Sequence, residues 1–200
     1  MKVKNILENV AIFLEMDDIY KYLTSSESVT LTDANQVVLN KLVKCVNLVN
    51  NIIATEYVPI CITSGLMNVG ISGINISTIN SKVIYDIRKV TDRFGNIVHY
   101  TISNNKLYAD EKYVYITYMV YPSDVTISSD IKDYACKVSE RVFAMGVCAE
   151  YLYMIGDIDT ASSWDTRFKQ SIINCVRRKQ PTRIKSRLWY WGRYDIYKRN

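Results

Sequence analysis

The sequence predicts a mainly α-helical protein: a bundle of about four helices with an antiparallel β-hairpin or small-sheet insertion and an extended C-terminal tail. Apolar residues recur at helical spacing on both sides of a central region, residues 58–121, that is rich in β-branched residues and tyrosine. From Pro181 onward the side chains are largely basic and aromatic, and they show neither the spacing of a helix nor the alternation of a strand. We therefore assign residues 1–180 to one helical-bundle domain that contains the β insertion, and residues 181–200 to the tail.

Two apolar stripes predict the first two helices. Residues 4–23 form the first helix, because apolar side chains recur there at intervals of three, four and seven. A polar loop follows, and Thr32 or Asp33 can cap a second helix that runs to about Thr55 before Pro59 ends the pattern. The stripes are Ile6, Leu7, Val10, Phe13 and Leu14 in the first helix, and Val38, Leu42, Cys45, Val49 and Ile52 or Ile53 in the second.

The central region is predicted to form antiparallel strands. Residues 83–91 and 97–102 flank residues 92–96, whose Gly and Asn can adopt positive φ in a hairpin loop, so we expect these two strands to pair. Alternation with the period of a strand is clearest at residues 113–120. One face there would carry Val114, Ile116, Tyr118 and Val120, and the other Tyr113, Tyr115, Thr117 and Met119.

The third and fourth helices are predicted to form a helical hairpin. Ser129 or Asp130 opens the third helix, whose stripe keeps helical spacing for about six turns. Gly156 suits the left-handed position that ends a helix, and Asp157 can cap the next one, so the fourth helix should fold back directly. The predicted stripes are Ile131, Tyr134, Ala135, Val138, Val142, Met145, Ala149 and Leu152, and then Ile158, Ala161, Trp164, Phe168, Ile172 and Cys175.

Charge is distributed unevenly along the chain. The net charge is +5, but residues 177–200 hold nine Lys or Arg against the single acid Asp195 and so contribute +8, which leaves −3 for the body. The five cysteines are odd in number and widely spaced, which predicts buried thiols in a reducing compartment. Charges interrupt the apolar runs before about 18 residues, so we expect no membrane span.

No catalytic signature is present in the sequence. Gly65, Gly70 and Gly73 are spaced wrongly for a dinucleotide fingerprint, and His99 is the single histidine. Paired acids such as Asp17 and Asp18 are more typical of a solvated helix face than of general acid and base catalysis. We expect a protein without enzymatic activity, bound metal or cofactor.

The tail has a composition suited to binding a partner. Its arginines are interleaved with tryptophan and tyrosine, which favours either phosphate neutralisation with base stacking or anchoring in a protein groove. A simpler alternative is that the aromatic residues pack back on the body while the arginines keep the end soluble. The residues concerned are Arg183, Arg187 and Arg193 with Trp189, Tyr190, Trp191, Tyr194 and Tyr197.

The predicted hairpin carries a recognisable motif. In the sequence A-x-x-W-D-x-R-F-K, which begins at Ala161, Trp164 and Phe168 would pack inward and Asp165 would pair with Lys169 one turn on. This motif follows a long apolar helix and an E-Y-x-x-x-x-G-D turn, and the whole resembles the head-to-tail adaptor proteins of tailed bacteriophages, the connector ring beneath the portal. The motif residues are Gly156, Asp157, Trp164, Asp165, Arg167 and Phe168, with Glu150 and Tyr151 before them.

The resemblance extends over nearly the whole chain in the order of its elements, and it implies a structural virion protein at the portal vertex, made in the host cytoplasm. Such adaptors form rings, commonly of twelve copies, through which double-stranded DNA passes during packaging and ejection. Their partners are the portal protein and the tail or a second neck protein. A body of negative net charge suits a channel along which DNA must slide.

The resemblance also implies that the C-terminal tail docks on the portal. In this chain residues 188–200 are more aromatic than the family pattern, so docking on the portal, on the tail or on both stays open. The alternative function is nucleic-acid binding by the same basic aromatic segment. The predicted docking residues are Lys179, Arg183, Lys185, Arg187, Trp189, Trp191 and Arg193.

Overall fold

The computed structural model describes residues 1–25, 30–133 and 137–177. Within these ranges the chain forms five α-helices and two antiparallel sheets, so the fold is mixed α and β, and the prediction of a mainly helical bundle is wrong. The helices are α1 (Val3–Phe13), α2 (Asp17–Thr24), α3 (Asp33–Ile52), α4 (Glu140–Ile155) and α5 (Ile158–Arg177). The strands are β1 (Ile60–Thr63), β2 (Met67–Asn68), β3 (Ile74–Asn75), β4 (Ile84–Thr91), β5 (Tyr100–Ser103), β6 (Lys106–Ala109) and β7 (Tyr113–Val120).

The first predicted helix is in fact two helices, because the chain turns between α1 and α2. Glu15 has a φ of 54°, a left-handed conformation that a continuous right-handed helix excludes. The backbone N–H of Met16 donates to the carbonyl of Ala11 at 2.8 Å and closes the turn. Both helices keep apolar residues at helical spacing, so the periodicity alone did not reveal the break.

The second predicted helix, α3, begins where the sequence indicated. The hydroxyl of Thr32 accepts a hydrogen bond from the backbone N–H of Asn35 at 3.3 Å, so Thr32 is the N-cap. The helix continues into a π-helical turn, Ile53–Tyr57, before Pro59. Among the described residues this segment, Asp33–Tyr57, is the one long and apolar enough to cross a membrane. Core helices pass the same test, and its apolar stripe is buried within the protein.

The helical hairpin is confirmed, but its first helix starts later than predicted. Ser139 caps α4 by accepting a hydrogen bond from the N–H of Val142 at 3.3 Å, whereas the sequence favoured Ser129 or Asp130. Ile131 and Val138 are buried although they precede the helix, which is why their spacing resembled its continuation. Gly156 ends α4 at a φ of 92°, and the Asp157 carboxylate accepts from the N–H of Thr160 at 3.3 Å to cap α5.

The first sheet is organised around β7. β4 and β1 both pair antiparallel with the same part of β7 and therefore flank it on opposite edges, while β2 pairs with its start. The alternation predicted for residues 113–120 is confirmed, because Val114, Ile116, Tyr118 and Val120 are all buried. All the described strands fall between Ile60 and Val120, inside the predicted insertion.

The predicted turn at residues 92–96 forms, with Gly95 at a φ of 87°, but the segments 83–91 and 97–102 do not pair along their length. One isolated bridge, Thr91 to Ile97, and the hydrogen bond from the N–H of Val98 to the carbonyl of Val90 at 3.0 Å join them, because β4 pairs with β7 and β5 pairs with β6. A second tight turn lies at Asn104 and Asn105, whose φ values of 50° and 60° suit a two-residue hairpin loop. β3, β6 and β5 form the second sheet in that order.

Two apolar clusters hold the described chain together. The larger lies among the helices, and the smaller includes the buried face of β7 together with Val69, Val98 and Leu107. Ile60 contacts both clusters at the point where α3 gives way to β1. The β part therefore has a core of its own, which a small insertion in a helical bundle would not need.

Three helices meet in close contact at Gly146 of α4. A Cβ at this position would lie 3.0 Å from Val49 Cγ1 of α3 and 3.1 Å from the Phe168 ring of α5. Both neighbours are buried, so neither side chain can move into solvent. The absence of a side chain at Gly146 allows both α3 and α5 to pack against the same position of α4.

Replacing Gly146 by valine should lower the free energy of unfolding by about 1–3 kcal/mol, because the added methyl groups overpack this crossing. Urea denaturation followed by circular dichroism measures the change. Gly65→Val is the control, since an added Cβ there meets no atom within 4 Å. An unchanged midpoint for Gly146→Val would mean that the helices separate at no cost.

Candidate interaction surfaces

The motif residues of the α4–α5 hairpin serve mainly in packing. Trp164 stacks on Phe13 of α1 with ring centroids 5.1 Å apart, and the Arg167 guanidinium lies 5.3 Å from the Trp164 ring centroid. Phe168 is buried and meets Tyr57 edge to face at 6.2 Å. The predicted inward orientation of Trp164 and Phe168 is therefore confirmed.

The predicted ion pair on the same helix is also formed. The Lys169 ammonium donates to the Asp165 carboxylate at 2.7 Å across one turn. This hydrogen bond, together with the charge of Asp165, raises the pKa of Lys169. Both side chains border a small cavity of about 140 Å³ between α3, α4 and α5.

The cavity contains a carboxyl group that is partly removed from water. Burial of Glu150 raises the pKa of its carboxyl, and the neighbouring charge of Asp165 raises it further. Glu56 also lines the cavity, so three carboxyl groups share the space with Lys169. Ionised Glu150 therefore opposes the packing of the three helices.

Replacing Glu150 by glutamine should stabilise the protein near neutral pH. The folded-state pKa is raised above its ordinary value of 4.5, so ionisation lowers stability progressively as the pH rises from 4.5 through the folded-state pKa. The gain from Glu150→Gln should therefore shrink as the pH falls to 4.5. Chemical denaturation between pH 4.5 and neutral pH measures the difference in the free energy of unfolding between the variant and the unmodified protein. Glu111→Gln, at an exposed site, is the control.

The end of the hairpin exposes apolar side chains. Ile158 was predicted to face inward but is 66% exposed. The α4 residues at the same end of the hairpin, Met154 and Ile155, are exposed as well, so no apolar surface of the described residues covers it there. Tyr153 is 40% exposed beside them. These four residues define the hairpin tip, an apolar surface on either side of Gly156 and Asp157.

A second exposed apolar surface lies on the loop after β4. In this loop, residues 92–97, the Asp92 carboxylate accepts hydrogen bonds from the N–H groups of Phe94 and Asn96 at 2.8 and 2.9 Å, and from the Asn96 amide at 2.8 Å. The bond from the Asn96 side chain is the main cause that lowers the pKa of Asp92. Phe94 and Ile97 are 89% and 81% exposed on this rigid frame, which we call the Phe94 loop.

The Phe94 loop adjoins the start of β7. The Arg93 guanidinium lies 4.6 Å from the ring centroid of Tyr113, and the Lys112 ammonium lies 5.5 Å from the same centroid. The sequence pattern predicted only a turn at residues 92–96 and did not indicate this surface. A phenylalanine placed among the Asp, Gly and Asn residues of a turn is the signal that could have revealed it.

A concave surface lies where the helices meet the first sheet. This junction hollow has a volume of about 730 Å³ and is walled by Tyr57, Pro59, Ile60 and Val176. Lys82, Arg88 and Lys137 border it, and Asp133 is the acid among its described lining residues. The exposed thiol of Cys61 lies in the hollow and accepts a hydrogen bond from Arg88 Nη1 at 3.7 Å.

The other cysteines differ from Cys61. Burial raises the pKa of Cys45 to about 11 and that of Cys148 to about 12, so both thiols stay protonated and unreactive. Cys175 is half-buried, and Cys136 lies outside the described residues. The prediction of buried thiols is therefore right for Cys45 and Cys148 and wrong for Cys61.

The predicted docking residues of the tail, from Lys179 to Arg193, all lie outside the described residues. Among the described side chains, no three His, Cys, Asp or Glu residues come together in a way that could hold a metal ion. His99 is 75% exposed with its Nδ1 3.9 Å from the similarly exposed Asp110 carboxylate. The sequence matches none of the known protein families, and no curated protein matches it.

Proposed function

We propose that this chain is a subunit of the head-to-tail connector ring of a tailed bacteriophage, docked beneath the portal around the DNA channel. The observation that carries the proposal is the α4–α5 hairpin. Its motif residues resemble the adaptor pattern, its Gly156 and Asp157 caps are formed, and Asp165 is paired with Lys169. The β part is larger than the small insertion expected from the resemblance, so the proposal rests on the hairpin and not on the fold class.

The charge distribution supports the same function. The body carries a net charge of −3, while the residues from Arg177 onward carry +8. A body that does not attract phosphates lets DNA slide past it, whereas a cationic aromatic segment suits anchoring to an acidic or grooved protein surface. In this proposal the body surrounds the DNA channel and the tail attaches the subunit to the portal.

The exposed apolar surfaces support assembly into a larger particle. The hairpin tip and the Phe94 loop share no element, since the tip joins α4 to α5 and the loop follows β4 of the first sheet. A ring subunit has to contact two neighbours, the portal and a tail-side protein, so it needs several separate contact surfaces. A monomeric protein would not need surfaces of this kind on two different parts of its fold.

The test is removal of the tail. A chain ending at Gln180 retains every described residue, so it should fold, yet it should bind the portal protein of the same phage at least about 30-fold more weakly, because aromatic and arginine anchors each contribute about 2 kcal/mol or more. Circular dichroism checks the fold, and surface plasmon resonance measures the affinity.

A matched pair of full-length variants separates the two kinds of anchor. Trp189→Ala with Trp191→Ala removes aromatic contacts and keeps all the charges. Arg183→Gln with Arg187→Gln removes two positive charges and keeps all the aromatic side chains. Unchanged portal affinity in the shortened chain would show that the tail is not the docking segment.

A second candidate function is direct binding of nucleic acid, and the interleaving of arginine with tryptophan and tyrosine in the tail favours it. Phosphate neutralisation makes affinity fall steeply with salt, with a slope that follows the number of phosphates contacted. Docking through aromatic anchors depends on salt much less. Affinity for a DNA duplex and for the portal, each measured over a range of salt concentrations, therefore distinguishes the two functions.

A further inference from the structure

The Phe94 loop is built as an anchor for another surface. Its conformation is fixed by the three hydrogen bonds to Asp92 and by Gly95 at a φ of 87°, so little entropy is lost when it binds. Phe94 and Ile97 project from this frame into solvent. Aromatic side chains are enriched in the buried centres of protein interfaces, which is the use that such a frame suits.

The junction hollow has the opposite shape to the loop. It is concave, its walls include Tyr57, Pro59 and Ile60, and its volume of about 730 Å³ is within the range of sites that bury a ligand-sized group. It is formed where the helical core meets the first sheet, a place that the Phe94 loop does not touch. The described part of the chain therefore offers a protruding apolar loop and, separate from it, a hollow with apolar walls.

The two surfaces lie towards opposite ends of β7. Cys61 of the hollow is paired with Met119, whereas Arg93 of the loop lies on Tyr113. Six residues of strand at about 3.3 Å each separate these positions by roughly 20 Å. Because both ends belong to one sheet, the Phe94 loop cannot enter the hollow of its own chain.

The charges around the two surfaces are complementary. Asp92 begins the loop, Asp110 and Glu111 directly precede Lys112, and the cations Arg93 and Lys112 both lie over Tyr113. The hollow has Lys82, Arg88 and Lys137 against Asp133. The named side chains sum to −1 at the loop end, three acids against two cations, and to +2 around the hollow, three cations against one acid, so the two surfaces carry net charges of opposite sign.

We propose that the Phe94 loop of one copy of this chain occupies the junction hollow of a second copy. The contact is heterologous, because each copy uses a different surface towards each neighbour, and repetition of such a contact closes a ring when the rotation permits. This inference rests on the proposed connector ring and names the contact that joins its subunits.

The native thiol of Cys61 allows a direct test in the full-length chain. Ile97→Cys places a second thiol beside Phe94 and leaves the anchor itself unchanged. Mild oxidation of concentrated protein should then give a ladder of covalent dimers, trimers and larger species on a non-reducing gel, at least about tenfold more than Ile71→Cys gives. Ile71 is the matched control because it is fully exposed elsewhere in the β part.

Two double variants make the test specific. Ile97→Cys with Cys61→Ser should lose the ladder, and Ile97→Cys with Phe94→Ser should lower its yield about tenfold, because the aromatic anchor is removed while both thiols remain. A ladder that survives Cys61→Ser overturns the proposal. So does the absence of cross-linking, which is also the result expected if the tail of the same chain fills the hollow.

The length of the ladder tests the head-to-tail arrangement. A heterologous contact leaves a free surface at each end of an open oligomer and so adds copies until a ring closes, whereas a symmetric exchange of loops would stop at a dimer and would overturn the proposal. Portal affinity of the unmodified chain is measured independently. Portal binding without cross-linking would reject this contact and retain the connector function. Cross-linking without portal binding would retain the contact between copies and reject the connector function.

Discussion

The close approach of three helices at Gly146 is the constraint on which the rest of the structure depends. Because no side chain separates them, Val49 and Phe168 reach the same level of α4, and α5 is held against both α3 and α4. This fixes the direction of the hairpin. The hairpin tip then lies at one end of the helical layer, and the other end of α5 reaches the junction hollow, which Val176 helps to line.

The two apolar cores give the molecule two parts with different surfaces. The helical core buries much of its stripes and leaves a group of apolar residues exposed at the hairpin tip, whereas the β core supports the rigid loop that carries Phe94. Ile60 links the cores at the junction. The exposed apolar surfaces therefore sit on elements whose positions are set by packing, which would suit the proposed assembly.

The candidate surfaces use two different physical strategies. The Phe94 loop is held by hydrogen bonds within a few residues, so its binding would cost little ordering of the chain. The tail combines positive charge with aromatic side chains, and in the proposed function it provides the attachment to the portal. A rigid contact between copies and a separate anchoring segment would let ring closure and docking be tuned independently.

The sequence by itself determined the features that depend on neighbouring residues. The caps at Thr32, Gly156 and Asp157, the Asp165–Lys169 pair and the two faces of β7 all arise from interactions a few residues apart. The break at Glu15, the pairing of β4 with β7, the late start of α4 and the junction hollow depend on which distant segments pack together. Only the tertiary structure decided these, because the same local pattern fits several long-range partners, and burial against one of them selects the outcome.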